Sequence, residues 1–592
     1  MTTRATRSPR RRTVVALAVI LSILAAFIVR LVDIQVVSAD ARVTESLHYL
    51  GAGSKIPGQR GSIVDTDGTV LATSVMVYDF NMDPKAMNAI EENEKNPPKT
   101  PWAEASNKIA EIMGIDAEKL RTDVADALTK NPGVRWFQLK SGMSTEKYIE
   151  LRDLKLDYLH YDARETRVYP NGAVAGNVIG YLNGEGDAQA GIEKMESACL
   201  APTDGEKSYR RGKDGVVIPG SERTVAAVDG GSVQLTINSD LQWYMQQMIA
   251  EEAQAQGAQG GTVTVVEVKT GKIRAAAEWP TMDPNDLDAS APNTWGSKLF
   301  SYPFEPGSTF KAITAAAIME NGGVTPTSPT VSASSREKFP NGAVINDAFP
   351  HPTYNYTLAG ALIDSSNVAL SKFGTMVSPD VRYDYLQRFG VGTPAVGFPA
   401  ESGGVLHPTA EWDNQSLYTT TFGQHFTVTA PQVAGAYQAI ANGGEKIDLS
   451  LIESCTGADG TVHEAAAPER EQIIKPETAA ELTRMLENVA VQGGNSERIQ
   501  VPGYRVTSKT GTAQIEDGKG GYKAGVYYTS MVGFAPVDDP QYVVIVTLDQ
   551  PTRITSSAAT ATAFQKAMTQ VMKTYRVMPS STPMDALLPK FE

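Results

Sequence analysis

The chain has 592 residues, 42% hydrophobic and 20% charged, which gives room for two to four domains and excludes disorder over most of its length. Its 53 Lys and Arg against 67 Asp and Glu leave a formal charge of −14, which argues against nucleic acid as a partner, because phosphate binding needs a basic surface. Two cysteines, Cys199 and Cys455, are too few for a disulfide scaffold or a zinc site, and six scattered His with no G-K-S or G-K-T tripeptide argue against a zincin or a P-loop enzyme.

The charge is unevenly placed. The first 30 residues hold six Arg and no acid, leaving 47 basic against 67 acidic residues for the remainder, or −20. A basic head on an acidic body points to a membrane protein. Between them runs Thr13–Val29, uncharged and roughly 25 Å long as a helix. Five of the Arg precede it, so the positive-inside rule keeps residues 1–12 in the cytoplasm and puts the chain beyond about residue 35 outside, as a single-pass type II protein anchored by 13–37. The alternative is a cleaved signal peptide with Ala39-Asp40-Ala41 as its site. An outside location permits one Cys199–Cys455 disulfide, and two free thiols fit the sequence as well.

From 40 to about 225 the chain is rich in turns. Asp67-Gly68 reads as the turn of a hairpin between Ser62–Val64 and Val70–Ala72. Glu91–Lys99, with Pro97-Pro98, reads as a surface loop before helices at 103–113, 117–129 and 144–154. From Gly231 the elements lengthen. A helix is expected at Leu241–Glu252 and strands at Gly261–Val268 and Ile273–Glu278 around the turn Lys269–Lys272. Helices follow at about 309–320, 357–375 and 430–442, then strands at Tyr504–Ile515, Tyr527–Phe534 and Tyr542–Leu548 and a closing helix at 558–575. Two early and three late strands describe an α+β domain whose one sheet is completed by both ends, with an all-helical insertion. Pro579–Glu592, with three Pro, reads as a flexible surface tail.

Three short patterns occur in order: Ser308-Thr309-Phe310-Lys311, Ser365-Ser366-Asn367 and Lys509-Thr510-Gly511-Thr512. Each alone is weak, because Ser144–Lys147, Ser335–Lys338 and Lys269-Thr270-Gly271 match the same patterns by chance. Context separates them. Pro306-Gly307 leads Ser308 into a helix whose Phe310, Ile313, Ala317 and Ile318 make a buried face, so Ser308 sits at a helix N-terminus that favours a developing oxyanion. Lys311 follows one turn later, and a desolvated lysine can take a serine proton without histidine. An N-cap serine with a solvated lysine is the ordinary alternative. Ser365 can relay a proton, and Asn367 can bond a substrate amide or Lys311. Lys509 offers a cation to a substrate carboxylate, Gly511 lets a peptide backbone approach, and Thr512 N–H is a second oxyanion donor.

Glu305-Pro306-Gly307-Ser308-Thr309-Phe310-Lys311, Ser365-x-Asn367 and Ser508-Lys509-Thr510-Gly511-Thr512 together resemble the penicillin-binding protein transpeptidases, the acyl-serine family that includes serine β-lactamases. Phe422-Gly423-Gln424, Thr429-Ala430-Pro431-Gln432 and Ala441-Asn442-Gly443-Gly444 are similar to a stretch of the class B members. So are Arg60–Asp65 with Gly68 and Leu71-Ala72, Arg167-Val168-Tyr169-Pro170, and Gly191-Ile192-Glu193 in their N-terminal pedestal. One departure is His425, where the pattern carries glycine; it reads as local packing.

The resemblance implies a pedestal over 38–228, then a transpeptidase domain over 229–578 with a five-stranded antiparallel sheet flanked by helices and an all-helical subdomain. It implies catalytic roles for Ser308, Lys311, Ser365, Asn367 and Lys509, and substrate or oxyanion contacts from Ser308, Thr510, Gly511 and Thr512, with no metal and no cofactor. The implied partners are peptidoglycan stem peptides, β-lactams, the membrane and, without a glycosyltransferase domain of its own, a multi-pass glycan polymerase with other division proteins. The plain anchor, short pedestal and absence of extensions after the closing helix are similar to the division type. Alternatives are an elongation-type transpeptidase, a D,D-carboxypeptidase, a β-lactamase, or a non-catalytic scaffold. No E-x-x-L-N loop supports the β-lactamase; Glu411-Trp412-Asp413-Asn414 is the nearest text and does not fit.

Overall fold

The computed structural model describes residues 9–33, 51–210, 217–519 and 521–592. Residues 1–8 of the expected cytoplasmic tail, 34–37 of the expected anchor and the Ala39–Ala41 cleavage site lie outside them. Chain contacts divide the molecule into two units, one of residues 1–59 with 202–229, the other of 60–201 with 230–592.

In the first unit, Pro9–Val32 is one helix, and its Thr13–Val32 portion is long and apolar enough to cross a membrane. Its leucines, isoleucines and valines are exposed all round, which only an apolar surrounding satisfies. The unit also contains an antiparallel sheet in which Gly205–Arg210 lies between Gly51–Ile56 and Arg223–Val225.

The second unit holds two large sheets. One has seven strands, running from Val462–Glu464 through Ile452–Thr456, Ser232–Leu235, Ile63–Val64 and Val70–Met82 to Phe137–Met143, with Leu159–Val168 also paired to Val70–Met82. Ile63–Val64 and Ser232–Leu235 are parallel, and the other pairs antiparallel. The Asp67-Gly68 turn is as expected, Gly68 taking φ +85°. Helices Trp102–Met113, Ala117–Lys130 and Thr145–Arg152 pack around Phe80, Met82, Ile109 and Leu151. Ser144 caps the last of these through Lys147 N, so this S-x-x-K match is a helix cap. Because this sheet takes strands from both sides of residue 228, the expected pedestal and transpeptidase domain share it. Cys199 and Cys455 are disulfide-bonded, tying the helix Ser197–Leu200 to the strand Ile452–Thr456.

The other sheet has five antiparallel strands in the order Ile273–Trp279, Gly260–Glu267, Tyr542–Asp549, Tyr522–Ala535, Lys509–Glu516. Both faces are covered, so its central strands are apolar at successive positions. Val263, Val265, Val544 and Val546 pack with Leu241, Ile249, Phe564 and Met568 of helices Ser239–Gln256 and Ala558–Thr574. Val266, Val543 and Ile545 face a second core with Ala430–Ala441 and Lys311–Asn321. Lys269–Lys272 is the expected hairpin turn, and Arg336–Lys338 a short strand, which disposes of the remaining chance motifs.

Four expectations need correction. Tyr504–Ser508 is not strand; regular pairing begins at Lys509, and Thr507 is instead tied to Phe534 by its backbone and side chain. The insertion is not wholly helical, since short strand pairs such as Val331–Ala333 with Tyr354–Tyr356 lie within it. The expected 357–375 helix is two helices, Leu358–Ile363 and Asn367–Gly374. Residues 579–592 are not a loose tail, because Leu588 is buried and Phe591 bridges to Tyr356.

Candidate active site

The strand-like pairing of Phe304 with Val428, N to O at 2.9 Å both ways, sets the approach to Ser308. Gly307 N then donates to Gly423 O at 2.8 Å. The two chains pass so closely that a β-carbon at Gly423, whose φ is +84°, would lie 2.0 Å from Gly307 O. Glu305 fastens the same stretch, accepting from His425 N at 2.8 Å and from Tyr522 OH at 3.0 Å. Burial pushes its carboxyl up to about 7. His425 itself sits at φ +71°, the region for which glycine is the usual residue.

Gly307–Phe310 is a 3-10 turn that runs directly into the helix Lys311–Asn321. With three residues per turn, Ser308 and Lys311 share one side of it. Ser308 is half-buried and Lys311 fully buried. Thr309 Oγ1 donates to Pro306 O at 2.8 Å and Tyr437 OH to Thr309 O at 2.8 Å, so the turn is bonded on its inner side. Among the described residues none is hydrogen-bonded to the Ser308 hydroxyl.

Ser365 occupies the break between the two helices. Its N–H bonds Leu362 O at 3.2 Å and that of Ser366 bonds Ala361 O at 2.9 Å, a Schellman closure. The left-handed residue of that closure is usually glycine; here it is Ser365 at φ +56°, a strain of about 1 kcal/mol. The turn delivers both oxygens of Ser365 to Lys311 Nζ, the carbonyl in very close contact and Oγ at 3.2 Å. Lys509 Nζ reaches the same Oγ at 3.0 Å. Two buried amines therefore converge on one hydroxyl. Burial and the charge of Lys509 hold the Lys311 amine well below its ordinary value, against an upward pull from Asp347. Burial brings Lys509 down to about 7.

Asn367 starts the second helix, and its Nδ2 donates to Asn346 O at 2.9 Å. Asp347, which no sequence motif marks, accepts from Ser366 Oγ at 2.7 Å, Val368 N at 2.9 Å and His351 Nε2 at 2.8 Å. No spacing rule links Asp347 to the S-x-N turn; only the fold brings them together.

Lys509–Glu516 is the edge strand, alternating buried Lys509, Gly511 and Ala513 with exposed Thr512 and Gln514. The close approach at Gly511 is internal: a β-carbon there would lie 2.3 Å from Ser530 Oγ and 2.9 Å from Pro306 O, so this strand lies directly against the serine turn. Thr510 is half-buried beside Lys509, its carbonyl 3.4 Å from Nζ, and Thr512 Oγ1 accepts from Ser557 N at 3.1 Å. Ser308, Lys311, Ser365, Lys509 and the Thr510–Thr512 strand are thus gathered at one edge of the five-stranded sheet.

A serine on a helical turn, a depressed lysine behind it, a hydroxyl held between two amines and an open strand edge define an acyl-serine enzyme cleft. Residues 261–569 match the penicillin-binding protein transpeptidase domain and 55–235 the penicillin-binding protein dimerisation domain. The chain belongs to the class B penicillin-binding proteins. It is 34% identical over 559 residues to penicillin-binding protein PbpB of Mycolicibacterium smegmatis, covering 90% of this chain and 85% of that one. It is 26% identical to peptidoglycan D,D-transpeptidase FtsI of Escherichia coli, over 95% of this chain and 91% of that one. Penicillin-binding protein 3 of Mycobacterium tuberculosis, solved with aztreonam, superposes with a TM-score of 0.69 at 27% identity, over 90% of this chain and all of that one.

Proposed function

We propose that this chain is a peptidoglycan D,D-transpeptidase that crosslinks stem peptides through an acyl-Ser308 intermediate. The observation that carries the reading is the convergence of buried Lys311 and Lys509 on Ser365 Oγ, next to the turn that presents Ser308. Ser308 Oγ attacks the carbonyl carbon of the penultimate D-alanine while its proton passes to neutral Lys311. The N–H groups of Ser308 and Thr512 receive the developing oxyanion. Collapse breaks the peptide C–N bond, and the departing D-alanine takes its proton from Lys311 through Ser365. An amine of a neighbouring stem peptide then attacks the ester, its surplus proton passes through Ser365 and Lys311 to the departing Ser308 Oγ, and the free serine is restored. Lys509 and Thr510 grip the terminal carboxylate of the donor, Asn367 bonds a substrate amide through its side chain, and Gly511 lets this strand lie against the serine turn.

A β-lactam enters as a mimic of the donor: Ser308 opens the ring amide, the ring nitrogen takes the proton, and the tethered leaving group stays in place. The relatives named D,D-transpeptidases and the aztreonam complex support this use of the cleft. The Arg-rich head and the disulfide support an anchor with residues 1–12 in the cytoplasm and the catalytic unit outside, where thiols oxidise. We assign it to the division septum, alongside a multi-pass glycan polymerase, with 38–228 as pedestal and 229–578 as transpeptidase domain.

The test is labelling of the full chain by fluorescent penicillin, with peptide mapping and product analysis on stem-peptide substrate. Label on Ser308, lost in Ser308→Ala, together with crosslinked dimer supports the reading. D-alanine release without dimer assigns a carboxypeptidase instead, and rapid nitrocefin turnover a β-lactamase. A fluorescent fusion dispersed along the side wall removes the septal assignment.

A further inference from the structure

Residues Leu588–Glu592 lie outside every motif above, yet they fasten onto the turn that carries Ser365. Thr357 N donates to Lys590 O at 3.1 Å, Thr357 Oγ1 to Pro589 O at 2.7 Å, and Glu592 N to Asn355 O at 3.1 Å, so the segment runs beside Tyr354–Thr357. Gly360 makes room for it, since a β-carbon there would lie 1.9 Å from Lys590 O. Leu588 is buried, and its backbone is bonded to Asn488 Oδ1 at 2.9 Å and Gln492 Nε2 at 3.1 Å.

From this anchored backbone two side chains reach toward the catalytic turn. Lys590 Nζ forms an ion pair at 2.7 Å with Asp364, the residue before Ser365. Phe591 stacks on Tyr354 with ring centroids 4.3 Å apart and meets Tyr356 edge-on. Tyr354 stacks in turn on His351 at 5.5 Å, and His351 bonds Asp347, the carboxylate that holds Ser366 Oγ and Val368 N. Both routes end on residues that flank Ser365.

We propose that Leu588–Glu592 is a positioning segment for the acyl-transfer reaction: Lys590 acting on Asp364, and Phe591 acting through Tyr354, His351 and Asp347, hold the Ser365 turn in the left-handed conformation that places its hydroxyl between Lys311 and Lys509. A non-glycine residue persists there only when its surroundings over-determine it. The Lys590–Asp364 pair is partly exposed, its side chains each 28% accessible, so it adds little to global stability. The inference rests on the acyl-serine reading of the cleft.

The experiment measures acylation of the full-length, detergent-solubilised chain by fluorescent penicillin, separating the affinity of the first complex from the acylation rate, for Lys590→Met, Phe591→Ala, Lys590→Arg and Phe591→Tyr. Lys590→Met and Phe591→Ala are expected to slow acylation about tenfold, a fraction of what a 1 Å displacement of a reacting group does, and to leave first-complex affinity within about twofold. Lys590→Arg and Phe591→Tyr are expected to restore the rate. Variants that acylate as fast as the unaltered chain, with or without a lower melting temperature, overturn the proposal. Should Phe591→Ala fail to fold, Lys590→Met decides. An unaltered chain that takes no label on Ser308 defeats the acyl-serine reading itself, a result distinct from labelled chain with indifferent variants.

Discussion

Glu193→Gln removes the carboxylate that two buried guanidiniums share. Arg60 Nε meets Glu193 Oε2 and Arg167 Nε meets Oε1, each at 2.7 Å, with Glu193 completely buried and the arginine side chains 9% and 5% exposed. Arg60 also donates to Glu193 O at 2.7 Å and Arg167 to Gly61 O at 2.7 Å, so the triad joins three stretches distant in sequence. Breaking a buried pair from one side costs about 3–5 kcal/mol, because the partner charge is left without compensation. Here two like charges would be left facing each other. If that falls on local opening, hydrogen-exchange protection of residues 60–64 and 165–168 drops by roughly 10²–10⁴-fold. Exchange followed by mass spectrometry on the folded chain reads this directly. The simultaneous replacement Arg60→Met, Glu193→Leu, Arg167→Met provides the control, since an apolar triad of similar volume is often neutral or stabilising. Protection that changes less than about tenfold in Glu193→Gln would refute the argument, because the triad would then contribute too little to hold these segments together.

Three further outcomes are expected. Acylation by an anionic penicillin should rise with pH as Lys311 loses its proton and fall above about 7 as Lys509 loses the charge that receives the carboxylate; Lys509→Arg should extend the alkaline limb, and an unchanged limb would remove Lys509 from that role. His425→Gly should keep penicillin labelling, since only the backbone N of His425 bonds Glu305, and should raise the calorimetric melting temperature slightly by relieving about 1 kcal/mol of left-handed strain; a lower melting temperature would contradict this. Reduction of Cys199–Cys455, which closes a loop spanning 256 residues, should destabilise the second unit by as much as ~5 kcal/mol, visible as a lower urea midpoint in dithiothreitol; an unchanged midpoint would show that the sheet holds without the bond.

How far the molecule was legible in its sequence depended on the range of the forces concerned. Gly260–Glu267 and Tyr542–Asp549 could be read because β-branched residues run between clear turns, and the Lys311 helix because its apolar positions recur every three or four residues. The break at Ser365 was not legible: Ala361–Leu370 has helical composition, and what bends it is a Schellman closure on a serine, braced by Asp347 from a separate loop. Leu588–Glu592 read as a tail because three prolines and charged ends look like solvent, whereas its anchoring depends on Gly360 and two tyrosines over 200 residues away. The three pedestal motifs could be recognised as belonging together, but the reason, one carboxylate between two arginines, exists only in three dimensions.

The strand order of the five-stranded sheet also sets a timetable. Gly260–Glu267 and Ile273–Trp279 are made early, but the partner of Gly260–Glu267 on its other side is Tyr542–Asp549, the last strand of all. At ~5–20 residues per second of synthesis, that apolar strand edge waits on the order of tens of seconds for its neighbour. In that interval it is a template for wrong pairing, a hazard that strand order alone imposes on this hairpin. The same delay bears on the proposed chemistry. Lys509 meets Ser365 only after the late strands have docked, so on that proposal a nascent chain holds its serine without the second amine until almost all of it has been made.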